Sequence, residues 1–168
     1  MEKNEKKVYK AVNAPIKNYE AGSNEKKTIK DQLIKMSQEI IEIPIIIGGK
    51  EIKTGNMGNC VMPHNHKHVL AHYHKASDNE INLAIDNLLE TWKSWSNTSI
   101  EYRIEIFKKM AELLQGPYRD IINASTMLGQ SKNIFQAEID SACELIDFFN
   151  FNCEYLMEII NQQPKYSH

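Results

Sequence analysis

The chain has 168 residues and a formal net charge of −2 at pH 7, with 42% hydrophobic and 25% charged residues. This composition is typical of a globular protein with one domain-sized core, and its near-neutral charge gives no reason to expect nucleic acid or an anionic membrane as a partner. No apolar run is long enough to span a bilayer, and the N-terminus lacks an apolar or arginine-rich leader. We therefore expect a cytoplasmic protein.

The chain begins with a polar, lysine-rich stretch. Residues 1–27 contain few apolar side chains, which predicts a polar mobile arm. A short amphipathic helix is predicted next, and it should end before Pro44, because a proline disfavours the helical conformation of the residue before it. The apolar residues that recur at helical spacing are Ile29, Leu33, Met36 and Ile40.

The arm is followed by a predicted structured part that covers residues 28–168. Strands are expected between about residues 45 and 74, and helices between about residues 78 and 162. Three isoleucines precede Gly48 and Gly49, and this pattern predicts a β-hairpin, because paired glycines supply the positive φ values of tight hairpin turns. The order of short strands before helices sets the predicted architecture.

A histidine-rich segment lies between two further predicted strands, at residues 60–62 and 69–73. Five histidines occur within eleven positions: His64, His66, His68, His72 and His74. Neutral imidazoles bind zinc and copper well. However, Lys67 inside the segment would repel a cation, so a solvated polar corner is favoured and a metal site is the remote alternative.

From Ser77 onward the pattern is helical. Ser77 and Thr98 each stand three residues before a glutamate, and both sequences match the capping box that begins a helix. Gly116-Pro117 is predicted to end the second of these helices and to open a third, which should end at Gly129. Trp92 on the first helix is expected to lie in the helical core.

The last part of the chain predicts a long amphipathic helix with a single apolar stripe. The stripe consists of Phe135, Ile139, Ala142, Ile146, Phe149, Cys153, Leu156 and Ile160. The acidic residues expected on the solvated face are Asp140, Glu144, Asp147, Glu154 and Glu158. Glu138 is the exception, because it lies roughly 60° from the centre of the stripe. A carboxylate beside a buried face needs a partner.

Six segments of the chain, two of them in this helix, resemble the aldehyde dehydrogenase superfamily. The similar segments, in chain order, are Ile47–Ile52, Pro63–Val69, Gly129–Lys132, Gln136–Asp140, Glu144–Phe149 and Gln162–Pro164. Within the superfamily the resemblance is strongest to the 1-pyrroline-5-carboxylate dehydrogenases, which oxidise glutamate γ-semialdehyde to glutamate in proline breakdown. One departure is Asn150, where a basic residue is expected in this family.

The resemblance implies an α/β fold, of which this chain would be the N-terminal segment, with short strands and a hairpin followed by a run of helices. It implies NAD as the cofactor, glutamate γ-semialdehyde as the substrate and a homo-oligomer as the complete protein. The family's catalytic cysteine, water-activating glutamate and nucleotide site would all lie downstream of Pro164. The chain alone is therefore expected to be inactive, with no catalytic, cofactor or metal residues of its own.

Glu138 is the one site residue that the resemblance carries over to this chain. The equivalent helix of the family lines the passage of the aldehyde, and a glutamate there could accept a hydrogen bond from the α-ammonium group of the substrate. The alternative is a carboxylate paired with a basic group or the backbone.

Two other classes of protein stay open. A non-catalytic helical module could use its apolar faces to bind a partner, and a histidine-rich metal-binding protein is more remote. The cysteines favour neither, because three is an odd number without C-x-x-C spacing, and Cys143 and Cys153 are expected to be buried, inert thiols.

Overall fold

The computed structural model describes residues 9–162 of the chain. The strands are β1 (Ile41–Ile43), β2 (Ile45–Ile47), β3 (Lys50–Ile52), β4 (Met57–Met62) and β5 (Asn65–His74). The helices are α1 (Asn24–Gln38), α2 (Asp78–Trp95), α3 (Ile100–Gln115), α4 (Arg119–Gln130), α5 (Ile134–Ala137) and α6 (Glu144–Asn161), with a π-helical turn at Glu138–Cys143 between the last two. Within the described range, no helix has both the length and the apolar character needed to cross a membrane.

The strands form two small sheets. β5 is the central strand of the larger sheet, with β1 parallel to it on one side and β4 antiparallel on the other. β2 and β3 form the predicted hairpin, and its turn residues Gly48 and Gly49 have φ values of 58° and 74°. The hairpin prediction is therefore confirmed for the reason given, since both turn residues adopt the left-handed conformation.

The first helix begins and ends earlier than predicted. Ser23 caps it, because its hydroxyl accepts a hydrogen bond from the N–H of Lys26. The predicted boundary at residue 27 therefore falls inside α1. At the other end the helix stops at Gln38, and Ile41 pairs with Ala71 as part of β1. Pairing with the edge of β5 overrides the helical spacing that continued to residue 40.

The histidine-rich corner is shorter than predicted. Pro63 and His64 form the turn, and β5 starts at Asn65. Most of the histidines therefore lie on a ten-residue strand. This strand pairs with β4 through an irregular register around Val61, which lets the two strands continue past the expected corner.

The predicted start of α2 is confirmed, and the cap of α3 lies one residue later than predicted. Ser77 forms the full capping box with Glu80. At the next helix the cap is Ser99, whose hydroxyl accepts from the N–H of Tyr102, while the hydroxyl of Thr98 accepts instead from Nε of Arg103. The third predicted helix also runs past Gly129 to Gln130. Its end is set instead by Ser131, whose φ is 57°.

The core lies between the C-terminal helix, α3, α4 and the segment before α1. Its two clusters of buried residues are Ala14, Ala111, Leu114, Ala142, Cys143 and Ile146, and Tyr19, Ile29 and Ala124. By contrast, α2 has no buried residue among those described. Trp92 is 65% exposed, so its predicted place in the core is wrong for this structure.

Candidate functional site

The C-terminal helix is interrupted by a π-helical turn at Glu138–Cys143. The N–H of Glu144 donates to the carbonyl of Ile139, five residues earlier, which is the π-helical pattern. The prediction of a single apolar stripe is therefore wrong for the residues before the turn. Phe135 is 61% exposed, whereas Ala137 and Glu138 are fully buried.

The extra residue of the π turn explains this burial. In an α-helix, the eight residues from Glu138 to Ile146 would rotate the chain about 80° beyond two full turns. A π turn holds one residue more, which takes back about 100° and brings the two residues to within roughly 20° of each other. Glu138 and Ile146 therefore share the buried face, and both have zero exposure.

The buried carboxylate of Glu138 is held by four residues. Arg119 donates to it twice, from Nη2 at 2.5 Å and from Nε at 3.3 Å. The hydroxyl of Tyr19 donates at 2.7 Å, and the backbone N–H of Lys17 and the side-chain amide of Asn123 each donate at 2.8 Å. Both carboxylate oxygens are therefore occupied, in a site where an unpaired charge would be costly.

Burial and hydrogen bonding act in opposite directions on this carboxylate. Burial raises the pKa of Glu138, but the donors from Arg119, Lys17, Tyr19 and Asn123 outweigh it and hold the pKa below its usual value. Burial, followed by the hydrogen bond to Glu138, raises the pKa of the Tyr19 phenol. In the folded protein the glutamate is therefore ionised and the phenol neutral at pH 7.

The N-terminal arm packs along the acidic face of the same helix. The N–H of Ala14 donates to Asp147, and the N–H of Ala11 donates to Glu154, each at 2.6 Å. The N–H of Lys17 donates to Glu138 in the same way. Carboxylates therefore accept from the N–H groups of Ala11, Ala14 and Lys17, and this spacing of three residues is the repeat of a polyproline II segment. The acidic face predicted to be solvated is thus partly covered, and the described part of the predicted mobile arm is fixed along it.

Two neighbouring cavities open along α6 and share Glu144 and Phe148 in their walls. The first measures about 400 Å³ and lies against α4 and the π turn, and the second measures about 420 Å³ and lies against the arm. The first is also lined by Ile122, Thr126, Gln130, Lys132, Asp140, Ser141 and Leu145. The carboxylate of Glu144 is exposed and makes no hydrogen bond or ion pair with any residue in the described range. This carboxylate is therefore open to a ligand.

Four of the five clustered histidines have separate partners. His64 contacts the hydroxyl of Ser131, His68 the carbonyl of Ser37, His72 the side chain of Asn59 and His74 the carboxylate of Glu42. The part of the chain that the structure describes contains no group of three or more histidine, cysteine or acidic residues that could hold a metal ion.

For Glu138 the structure shows the paired carboxylate that was the alternative interpretation. The predicted contact with substrate stays a prediction. Sequence reasoning missed its main partners, Arg119 and Tyr19, which lie 19 and 119 residues away in the chain. One available signal was the polar spacing of Arg119, Asn123 and Thr126, which places three polar side chains on one face of a helix.

The chain is similar to a known family over most of its length. A model described as the aldehyde dehydrogenase family matches residues 52–167. The mitochondrial delta-1-pyrroline-5-carboxylate dehydrogenase of Dictyostelium discoideum is 44% identical over 153 residues, which are 91% of this chain and 27% of that protein. The human mitochondrial enzyme of the same name is 39% identical over 155 residues, which are 92% of this chain and 28% of that protein.

Solved structures agree with the sequence comparison. The delta-pyrroline-5-carboxylate dehydrogenase of Mycobacterium tuberculosis superposes with a TM-score of 0.91 at 34% identity, over 95% of this chain and 30% of that one. The same protein has been solved with bound NAD. This chain thus spans less than a third of the length of the relatives it matches, and it has the fold of their matching part.

Proposed function

Because the chain belongs to the aldehyde dehydrogenase family, we propose that it is the N-terminal part of an NAD-dependent enzyme that oxidises glutamate γ-semialdehyde to glutamate. The observation that carries the proposal is the 44% identity over 91% of the chain to a relative named for the cyclic form of this aldehyde. The 0.91 TM-score to a second such enzyme supports the same assignment.

The buried cysteines and the paired glycines of this segment do not fit the chemical steps of the reaction. Burial raises the pKa of Cys143 and of Cys153, so neither thiol is poised to attack an aldehyde. The paired glycines of the β2–β3 turn lead into a strand and not into a helix N-terminus, so they do not form a dinucleotide-binding turn. We place the nucleophile, the water-activating glutamate and the NAD site outside this segment.

The contribution of this segment would be to bind and orient the substrate. Glu138, the predicted contact for the α-ammonium group, would have to release Arg119 before it could accept a hydrogen bond from the substrate. Glu144 follows the π turn, is exposed, and lines both cavities together with Phe148. We therefore assign the ammonium contact to Glu144 and keep Glu138 as the rival assignment.

Kinetics of the complete protein test this proposal. A charge-assisted hydrogen bond contributes about 1.5–3 kcal/mol, so Glu144→Gln should lower kcat/KM for glutamate γ-semialdehyde roughly ten- to a hundred-fold. The loss should be small for an aldehyde without an amino group. A loss of this kind in Glu138→Gln but not in Glu144→Gln would favour the rival assignment, and equal losses for both aldehydes would contradict both.

The apolar face of α2 fits a segment of a longer protein. Leu88, Leu89 and Trp92 are each more than 60% exposed here. Such a surface is usually covered by another part of the same chain or by a partner. The remainder of the enzyme is the occupant that this proposal requires.

Location and assembly are further parts of the proposal. We propose a cytoplasmic homo-oligomer, although the names of several relatives include the word mitochondrial. Fractionation of cells that express the complete protein tests the location, and light scattering of the purified protein tests the assembly.

A further inference from the structure

We propose that the buried Arg119–Glu138 pair is a positioning element that holds the π turn in place and thereby aims Glu144 into the cavities. The effect on substrate binding rests on the proposed function. The effect on the π turn does not, because it follows from the contacts within this chain alone.

A buried polar stripe on α4 faces the π turn. Arg119, Asn123 and Thr126 are spaced by four and three residues, so they lie on one face of the helix, and their exposures are 1%, 0% and 9%. The first two donate to Glu138, and Thr126 accepts a hydrogen bond of 2.7 Å from Ser141. The first residue and the middle of the turn are therefore fixed to the same stripe by polar contacts.

Polar contacts of this kind select one register of the helix. A π turn is rare and short, and an unconstrained helix favours the α-helical pattern. Without the extra residue, the helix before the turn would be rotated about its axis by about 100° relative to the helix after it, compared with the observed arrangement. Ile146 and Cys153 anchor α6 in the core, but the N–H of Glu144 closes the π turn on the carbonyl of Ile139. Loss of the turn would therefore change the helix up to Glu144 and leave the residues beyond Ile146 in place.

The same pair also fixes the arm that borders the second cavity. Nη2 of Arg119 donates to the carbonyl of Pro15 at 2.8 Å, while Glu138 accepts from the N–H of Lys17. Asn13, two residues before that carbonyl, lines the second cavity beside α6. One ion pair thus controls two walls of the region where Glu144 is exposed.

Amide hydrogen exchange of the 168-residue chain tests the geometric claim. Glu138→Gln removes the negative charge of the ion pair. Ser141→Ala is a milder change that removes the hydrogen bond to Thr126, and it provides the test if Glu138→Gln does not fold. Glu112→Gln on α3 is the control, because it breaks an exposed ion pair with Lys109. Both test variants should speed exchange at residues 142–145 roughly tenfold relative to the control.

Steady-state kinetics of the complete protein test the consequence for substrate. Ser141→Ala should raise KM for glutamate γ-semialdehyde several-fold with kcat nearly unchanged, because a misaimed Glu144 weakens binding and leaves the reacting groups in place. Unchanged exchange at residues 142–145 in a folded variant, with or without lower global stability, would overturn the proposal. If instead the wild-type protein does not oxidise this aldehyde, the proposed function fails while the exchange result still decides the positioning claim.

Discussion

Replacing Glu138 with glutamine should destabilise the chain strongly, although glutamine has the same shape. The two carboxylate oxygens accept from Arg119, Tyr19, Lys17 and Asn123. Whichever way the glutamine amide is turned, its NH2 group faces at least two donors. The guanidinium of Arg119, 2% exposed, is then left without its counter-charge.

The magnitude follows from the burial of the pair. Breaking a buried ion pair by removing one partner costs about 3–5 kcal/mol. For a domain of this size, 1 kcal/mol shifts the melting temperature by roughly 2–4 °C, so the variant should melt about 6–20 °C lower. Glu144→Gln is the matched control, since the same change at an exposed carboxylate of the same helix should stay within about 0.5 kcal/mol.

Urea denaturation followed by circular dichroism measures both variants, and its pH dependence adds a second check. The pKa of Glu138 is lower in the folded chain than its usual 4.5. The stabilisation that Glu138 provides is therefore present above pH 4.5 and is lost as the pH falls through the pKa of Glu138 in the folded chain. The difference between wild type and Glu138→Gln should shrink in acid. A difference below about 1 kcal/mol at pH 7 would refute the idea that the pair stabilises the fold.

Three further results are expected. Burial, followed by the hydrogen bond to Glu138, raises the pKa of Tyr19 in the folded chain. Wild-type stability should therefore fall as the pH rises above 10.0, and Tyr19→Phe should remove that fall. An equal fall in the variant would contradict this. The chain should self-associate in size-exclusion chromatography through the apolar face of α2, and Leu88→Glu should shift it toward a monomer without loss of stability, whereas a monomeric wild type would favour an independent domain. Zinc calorimetry should give weak heats at most, and a stoichiometric sub-micromolar event lost on His72→Ala would establish a metal site.

Local signals in the sequence predicted the local structure well. The paired glycines predicted the β2–β3 turn, and Ser77 with its glutamate predicted the start of α2, because both patterns satisfy backbone requirements within four residues. The start of α3 was missed by one residue. Thr98 and Ser99 can both cap, and in the fold Thr98 accepts from Arg103, five residues later, while Ser99 accepts from the N–H of Tyr102.

Features that depend on distant contacts could not be predicted. β1 exists because it pairs with β5, thirty residues later in the chain. The π turn reverses the burial of Phe135 and Glu138, and it is held by contacts from α4 that no periodicity within the helix reveals. Family resemblance directed attention to the helix that carries Glu138, but the partners of Glu138 and the accessibility of Glu144 required the fold.

We propose that this chain is the N-terminal part of a glutamate γ-semialdehyde dehydrogenase and holds none of its reacting groups. NADH formation from NAD and glutamate γ-semialdehyde measures this most directly, with the 168-residue chain and the complete protein compared at equal concentration. We expect turnover by the complete protein and none by the chain. NADH formation by the chain alone that disappears after thiol alkylation, or a complete protein that does not oxidise this aldehyde, would contradict the claim.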